Sequence, residues 1–333
     1  MKCPLCSQEV ALPPMRTRVL HYWGPSHRQD GASLYLYHAM RRFPRLWCEH
    51  YELEGLPPDH GKRSLSIEVD WAGDCFGKNE YRLPHPNFYW VSDSHFSSDS
   101  FKARMERAKL FGIVATNIRD HVEMFRRQGP RAFWLPYAAE PTVWQPIDVE
   151  REYDWAFIGH LANYPDREDF CNKLSAAFPN CTAGRAFFED ANAIANSARI
   201  AVNHTMTDYS TNMRVFEMMC TGRPLLTRHT NDLKDMGFVD GEDLITFKTF
   251  DECADKMKHY LAHPDEAEKI GARGRERILA EHTYLHRAIA ILQECGLWET
   301  VADITPKMVA EWNAPKDPRK VRDELMAKQR GEK

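Results

Sequence analysis

Short apolar runs alternate with helix-length stretches along nearly the whole chain, and this alternation limits the fold more than any other feature. The first half carries runs at 17–23, 46–51, 65–70, 87–93, 112–117 and 131–136. The second carries them at 154–159, 181–183, 200–203, 224–227 and 244–247. Each is strand-sized and bounded by turn residues, whereas 32–42, 212–221, 249–262, 264–281 and 284–295 read as helices. Strands that alternate with helices predict open parallel sheets covered on both faces. Pro136, Pro141 and Pro146 punctuate an irregular stretch at 137–149, which reads as a linker. The expected fold is therefore α/β, with two tandem Rossmann-like doubly wound domains facing across a cleft. The first spans 1–145 and the second 150–298, with a charged tail at 299–333 that packs as a short helix or trails as a charged end. Ligands of such sheets sit at the carboxyl ends of strands. Asp70, Asp93 and His95 fall at such ends.

Bulk properties narrow the class. A net charge of −4 over 333 residues argues against a generic nucleic-acid coat. No stretch approaches the roughly 18 unbroken apolar residues of a membrane span. The start of the sequence lacks the apolar core of a secretion signal. Nine cysteines are scattered without a framework, which suits free thiols and a cytoplasmic location. Cys3 and Cys6 form half of a zinc knuckle, with Cys48 and His50 the one tempting complement.

The stretch 212–226 is the richest in chemistry. It reads as helix, tight turn at Gly222, Pro224, then buried strand. Glu217 sits on a helix face otherwise made of Val215, Phe216, Met218 and Met219. A carboxylate there costs desolvation unless something hydrogen-bonds it. The helix start offers backbone N–H groups and a positive dipole end to a phosphate. Phosphate at the start and a carboxylate about one turn further in would hold a nucleoside diphosphate and its ribose hydroxyls together. An amphipathic helix with one partly buried Glu fits the same residues.

Two such domains with Glu217 leading into the Gly222 turn resemble the GT-B glycosyltransferases. The chain is more narrowly similar to the family 1-type branch that includes the spore-maturation glycosyltransferase-like proteins. The residues that carry the likeness are 153–159, the Asn212-x-Arg214-x-Phe216-Glu217 motif, 260–264, 271–277 and 282–287, with 90–95 and 135–139 upstream. The resemblance implies that Glu217 grips the ribose of a nucleotide-sugar donor. Asn212 and Arg214 would face its diphosphate, Gly159 would let backbone approach the phosphates, and Arg167 would help the leaving group. Many retaining members carry a second Glu eight residues before the first; here Tyr209 stands there.

An inverting transfer needs a base beside the acceptor hydroxyl. His95 and Asp93 are the first candidates, then His27 and Asp70. Side-chain cations at the diphosphate would make a metal unnecessary, so no cofactor is expected beyond the nucleotide-sugar co-substrate. The acceptor is open: glycan, protein, small molecule or DNA. Eight Lys and Arg between 102 and 131, against Glu106, Asp120 and Glu123, would suit a polyanion or simply form a solvated face. A DNA-base-modifying glycosyltransferase, a nucleotide-sugar epimerase and a non-catalytic nucleotide-sugar scaffold remain alternatives; turnover with a donor panel separates them.

Overall fold

The computed structural model describes residues 17–22, 31–51, 64–69, 86–92, 98–162 and 164–329. The first unit runs β1 (Thr17–Tyr22), α1 (Ala32–Met40), β2 (Leu46–Tyr51), β3 (Ser64–Val69), β4 (Asn87–Val91), α2 (Ser98–Ala108), β5 (Ile113–Thr116), α3 (Val122–Arg126) and β6 (Arg131–Trp134). Its strands form one parallel sheet in the order β2-β1-β3-β4-β5-β6. The second unit runs β7 (Tyr153–Ile158), α4 (Pro165–Ala177), β8 (Cys181–Gly184), α5 (Phe188–Ser197), β9 (Ala198–Asn203), α6 (Met213–Cys220), β10 (Leu225–Arg228) and β11 (Ile245–Phe247). The helices α7 (Phe250–Ala262), α8 (Pro264–Glu281) and α9 (Tyr284–Glu294) follow. Its sheet is parallel in the order β11-β10-β9-β7-β8.

Buried on both faces, the strands read as the continuous apolar runs seen in the sequence; all five residues of β4 are buried. In each sheet the strand order reverses once, at β1/β3 and at β7/β9. Such reversals open a crevice at the carboxyl ends of the strands. The turn after α6 depends on Gly222, whose φ of 77° suits glycine far better than any other residue. Helix α8 presses against that turn so closely that a Cβ on Gly271 would lie 2.5 Å from the Gly222 carbonyl oxygen.

The two units are joined through the linker and α9. The N–H of Ala139 donates to His282 O and the N–H of Tyr284 donates to Ala139 O, both at 3.0 Å. Arg287 of α9 is buried and donates to the carbonyls of Pro136 (2.8 Å) and Tyr137 (2.8 Å). Burial without a carboxylate partner pulls its pKa down to about 10. The ring of Tyr284 lies 5.4 Å from Tyr35 and 6.3 Å from Trp90, inside the first unit's core. Of the two readings of the charged tail, the packed one holds: it folds back as α10 (Pro306–Trp312) and α11 (Pro318–Gln329). Val321 of α11 is buried, and Arg45 pairs with Asp303. One or two apolar residues per helix suffice to dock a polar helix on a larger body.

Candidate functional site

A cleft of about 390 Å³ lies between the two sheets, at their carboxyl ends. It spans both reversal points: Val69 ends β3, Phe157 and Ile158 end β7, and Asn203 ends β9. The second unit lines one wall with Gly159, His160, Tyr164, Arg167, Arg185 and the run 210–214. The described part of the other wall is small and neutral, with Gly31, Ala32 and Ser33 at the start of α1, Val69, Ser92 and Tyr137.

Arg167 is placed by the first turn of α4. Its guanidinium donates to His204 O (3.2 Å) and His160 O (3.0 Å) and lies 5.1 Å from the Tyr164 ring centroid. Among the described residues no carboxylate pairs with it. Burial first, and the nearby charge of Arg214 among lesser influences, pull its pKa below the usual guanidinium range. A half-buried cation without a counter-ion at a cleft surface is an anion site in waiting. Gly159 sits beside it: a Cβ there would meet the Phe157 ring at 2.9 Å and Arg167 at 3.9 Å.

Helix α6 begins at the same surface. Its N-cap, Asn212, turns its side chain away and donates to Asn203 Oδ1 at 3.1 Å, so no side chain caps the helix, and no acid lies in its first turn. The leading N–H groups have no intrahelical acceptor and the dipole's positive end faces the cleft. Arg214 stacks on the buried Trp144 (5.1 Å) and pairs with Glu217 at 2.9 Å. Glu217 is fully buried and does not line the cleft; Arg214 does. The sequence motif thus brings Asn212, Arg214, Gly159 and Arg167 to one surface and sets Glu217 behind them.

Several cleft residues carry no motif. Arg185 follows β8 and lies over Phe187 at 4.9 Å. The next residue, Phe188, has φ 45°, a strained value for a bulky side chain, tolerated in a buried position. A cation directly after a strand end was the signal available for Arg185. Tyr209 does not line the cleft; its ring sits 6.4 Å from His121 of the first unit. His204 is held neutral, its pKa lowered to about 4 by burial, Arg228 and Arg167. The expected bases Asp93 and His95, with Asp70, His27, Cys3 and Cys6, lie outside the described residues. Among the described residues no three His, Cys, Asp or Glu side chains converge as metal ligands, and no helix is long and apolar enough to cross a membrane.

The basic segment 102–131 is charge-balanced in place. Arg107 pairs with buried Glu68, Lys109 with Glu106, Lys102 with Asp99, Arg126 and Arg127 with Glu123, Arg119 with Asp235 and Arg131 with Glu294. Arg104 is fully buried. These local pairs thin the positive surface that the segment offers a polyanion.

Residues 145–293 match the family model described as glycosyl transferase-like. No curated protein matches the sequence. Among solved structures, Anabaena HepE in complex with UDP and glucose is similar with a TM-score of 0.61 at 10% identity, covering 84% of this chain and 100% of that one. Sucrose-phosphate synthase from Thermosynechococcus elongatus follows at 0.58 and 11%, covering 86% and 99%. An alpha1,3-fucosyltransferase with GDP gives 0.55 and 10%, covering 90% and 94%. The arrangement of the two sheets is the GT-B fold of these proteins. The comparisons reach that fold and glycosyl transferase-like proteins, not a narrower branch.

Proposed function

Taking the chain as a glycosyltransferase of the GT-B fold, with residues 145–293 as its glycosyl transferase-like domain, we propose that it moves a sugar from a nucleotide-diphosphate sugar to an acceptor hydroxyl without a metal. The carrying observation is Arg167, a half-buried cation with no carboxylate among the described residues, beside an uncapped helix start. A nucleoside diphosphate supplies the missing charge. The structural neighbours crystallised with UDP and with GDP agree with this ligand class.

Transfer breaks the bond between the sugar's anomeric carbon and the β-phosphate oxygen, and negative charge collects on the departing diphosphate. The N–H groups of α6, Arg214 and Arg167 meet that charge as it develops, which is where preorganised donors lower a barrier most. The new bond forms from the acceptor oxygen, whose proton goes to a protein base if the transfer inverts, with His95 and Asp93 the proposed groups, and to the departing diphosphate if it retains. Gly159 keeps the wall beside Arg167 clear. Glu217 supports the donor from behind by holding Arg214 against Trp144. Direct contact of Glu217 with ribose requires Arg214 to move aside. Equal weakening of ribo- and 2′-deoxyribonucleotides in Glu217→Gln indicates support through Arg214, and loss of their discrimination indicates ribose contact.

Calorimetric titration with UDP, GDP, ADP, CDP and dTDP in EDTA tests the donor site. One or more should bind, and Arg167→Ala should weaken that binding at least about thirtyfold. Folded wild-type protein that binds none of them overturns the reading. Binding that needs added divalent cation overturns its metal-independent part.

A further inference from the structure

Asp232 is a buried carboxylate with no role in the site described so far. It is 2% exposed, and no cation pairs with it among the described residues. Its Oδ2 accepts from the backbone N–H of Thr211 at 2.9 Å and from the Thr211 hydroxyl at 3.0 Å. Burial pushes its pKa up, against the pull of these same hydrogen bonds. Desolvating a carboxylate is costly, and this cost falls at a telling place. Thr211 immediately precedes the N-cap of α6 and itself lines the cleft.

The chain from 204 to 212 belongs to no strand or helix and crosses from β9 to α6 along the donor wall. Its own hydrogen bonds are short-range, from Thr205 Oγ1 to Thr207 O and from Thr207 Oγ1 to Ser210 O. Besides Arg167, which donates to His204 O, outside support comes from the end of β10 and the segment that follows it. Arg228 donates to Thr205 O (3.2 Å), the N–H of Asn231 donates to Asp208 O (2.7 Å), and Asp232 takes both donors of Thr211. Three residues further on, Asp235 pairs with Arg119 of the first unit. The Asp232 segment therefore links the first unit to the residue that precedes the helix N-cap.

We infer that Asp232 is a positioning residue of the donor site, whose carboxylate fixes Thr211 and so sets the first turn of α6 to receive the donor's diphosphate. This rests on the donor reading above. The carboxylate acts through Thr211 and touches no ligand. Charge-assisted hydrogen bonds are shorter and stronger than neutral ones, so an ionised Asp232 defines the helix entry more sharply than an amide would. Both Thr211 donors meet the same oxygen, so Asn can keep both bonds with its amide oxygen, but it removes the negative charge and puts an NH2 where Oδ1 stood.

Wild type and Asp232→Asn are titrated with the nucleoside diphosphate that wild type binds best, and with the corresponding monophosphate. Circular dichroism and a cooperative melt establish folding. In Asp232→Asn, diphosphate affinity should fall about threefold to thirtyfold, the difference between charge-assisted and neutral hydrogen bonds. Monophosphate affinity should fall much less, because the defect is confined to the helix start. Thr211→Val, which removes only the hydroxyl bond, should show the same diphosphate-selective loss at about threefold to tenfold, and it decides the matter if Asp232→Asn does not fold. Equal losses for both nucleotides, or none, in folded variants overturn the positioning role. Wild type that binds no nucleoside diphosphate overturns the donor reading itself, a separate outcome.

Discussion

Across the cleft, the second unit presents Arg167, Arg214 and a helix start, while the described part of the first presents Ser33, Ser92, Val69 and Tyr137. One wall concentrates positive charge that is partly desolvated and held by carbonyls, an aromatic ring and a buried acid. The other offers hydroxyls and an apolar strand end. A donor whose leaving group is a diphosphate has the same chemistry in every reaction cycle, so a rigid, charged receiver serves it. An acceptor hydroxyl needs shape and a proton path rather than countercharge. The asymmetry of the described walls thus matches the reaction proposed above.

The sharpest way to break this comparison is Arg167→Ala. Removing a desolvated cation that meets the diphosphate should weaken nucleotide affinity by about 2–4 kcal/mol, roughly 30- to 1,000-fold. Titration of the purified variant reads this directly, and unchanged affinity would place the anion site elsewhere. Gly159→Ala comes next. Its Cβ would crowd the Phe157 ring at 2.9 Å, and overpacking of this kind costs about 1–3 kcal/mol. The melting temperature should drop, and affinity should fall severalfold as Arg167 is displaced; a variant with wild-type values for both would mean that the ring yields freely.

Acid sharpens a second contrast, between buried histidines and the solvent-facing surface. His21 and His282 are held neutral by burial first, with pKa values pushed down to about 3. Unfolding lets each rise to its ordinary value, so below about pH 6.5 the unfolded chain binds more protons and stability falls with pH. Each histidine contributes a slope of about 1.4 kcal/mol per pH unit between its two pKa values. Denaturant melts at pH 7, 6 and 5 should therefore shift steadily downward. His282→Gln should flatten that slope by about one proton, and an unchanged slope would show that His282 already protonates in the folded state. The smallest effects belong to the neutral wall: Ser33→Ala and Ser92→Ala should change nucleotide affinity less than about threefold. A larger loss would move that wall into the donor site.

Periodicity reads the strands, the long helices and the Gly222 turn well, because each rests on a local pattern of apolar spacing or a single backbone requirement. Asn212 and Arg214 were visible as a helix start for the same reason. Glu217 illustrates the limit. Spacing puts it one turn into the helix, but only three dimensions show Arg214 folded back over it on Trp144, a residue about seventy positions earlier. Asp232 was invisible for a related reason: a lone acid about twenty residues from the helix it supports carries no motif. Arg287 was quoted as part of a pattern, yet its partners are carbonyls of the linker some 150 residues away. Tail residues such as Val321 dock on a body whose surface the local sequence does not describe.

The place of Tyr284 has a consequence for how the molecule is made. Its ring completes the packing between Tyr35 and Trp90, and its hydroxyl reaches Met213 at 3.3 Å. The amino-terminal half therefore cannot finish its interior while it emerges from the ribosome. It must wait, with α1 and β4 incompletely covered, until some two hundred further residues have been synthesised. Contacts between segments so distant slow folding and leave apolar surface open in the meantime. Growth of the nascent chain past α9, rather than completion of the first sheet, is the event that seals the first domain.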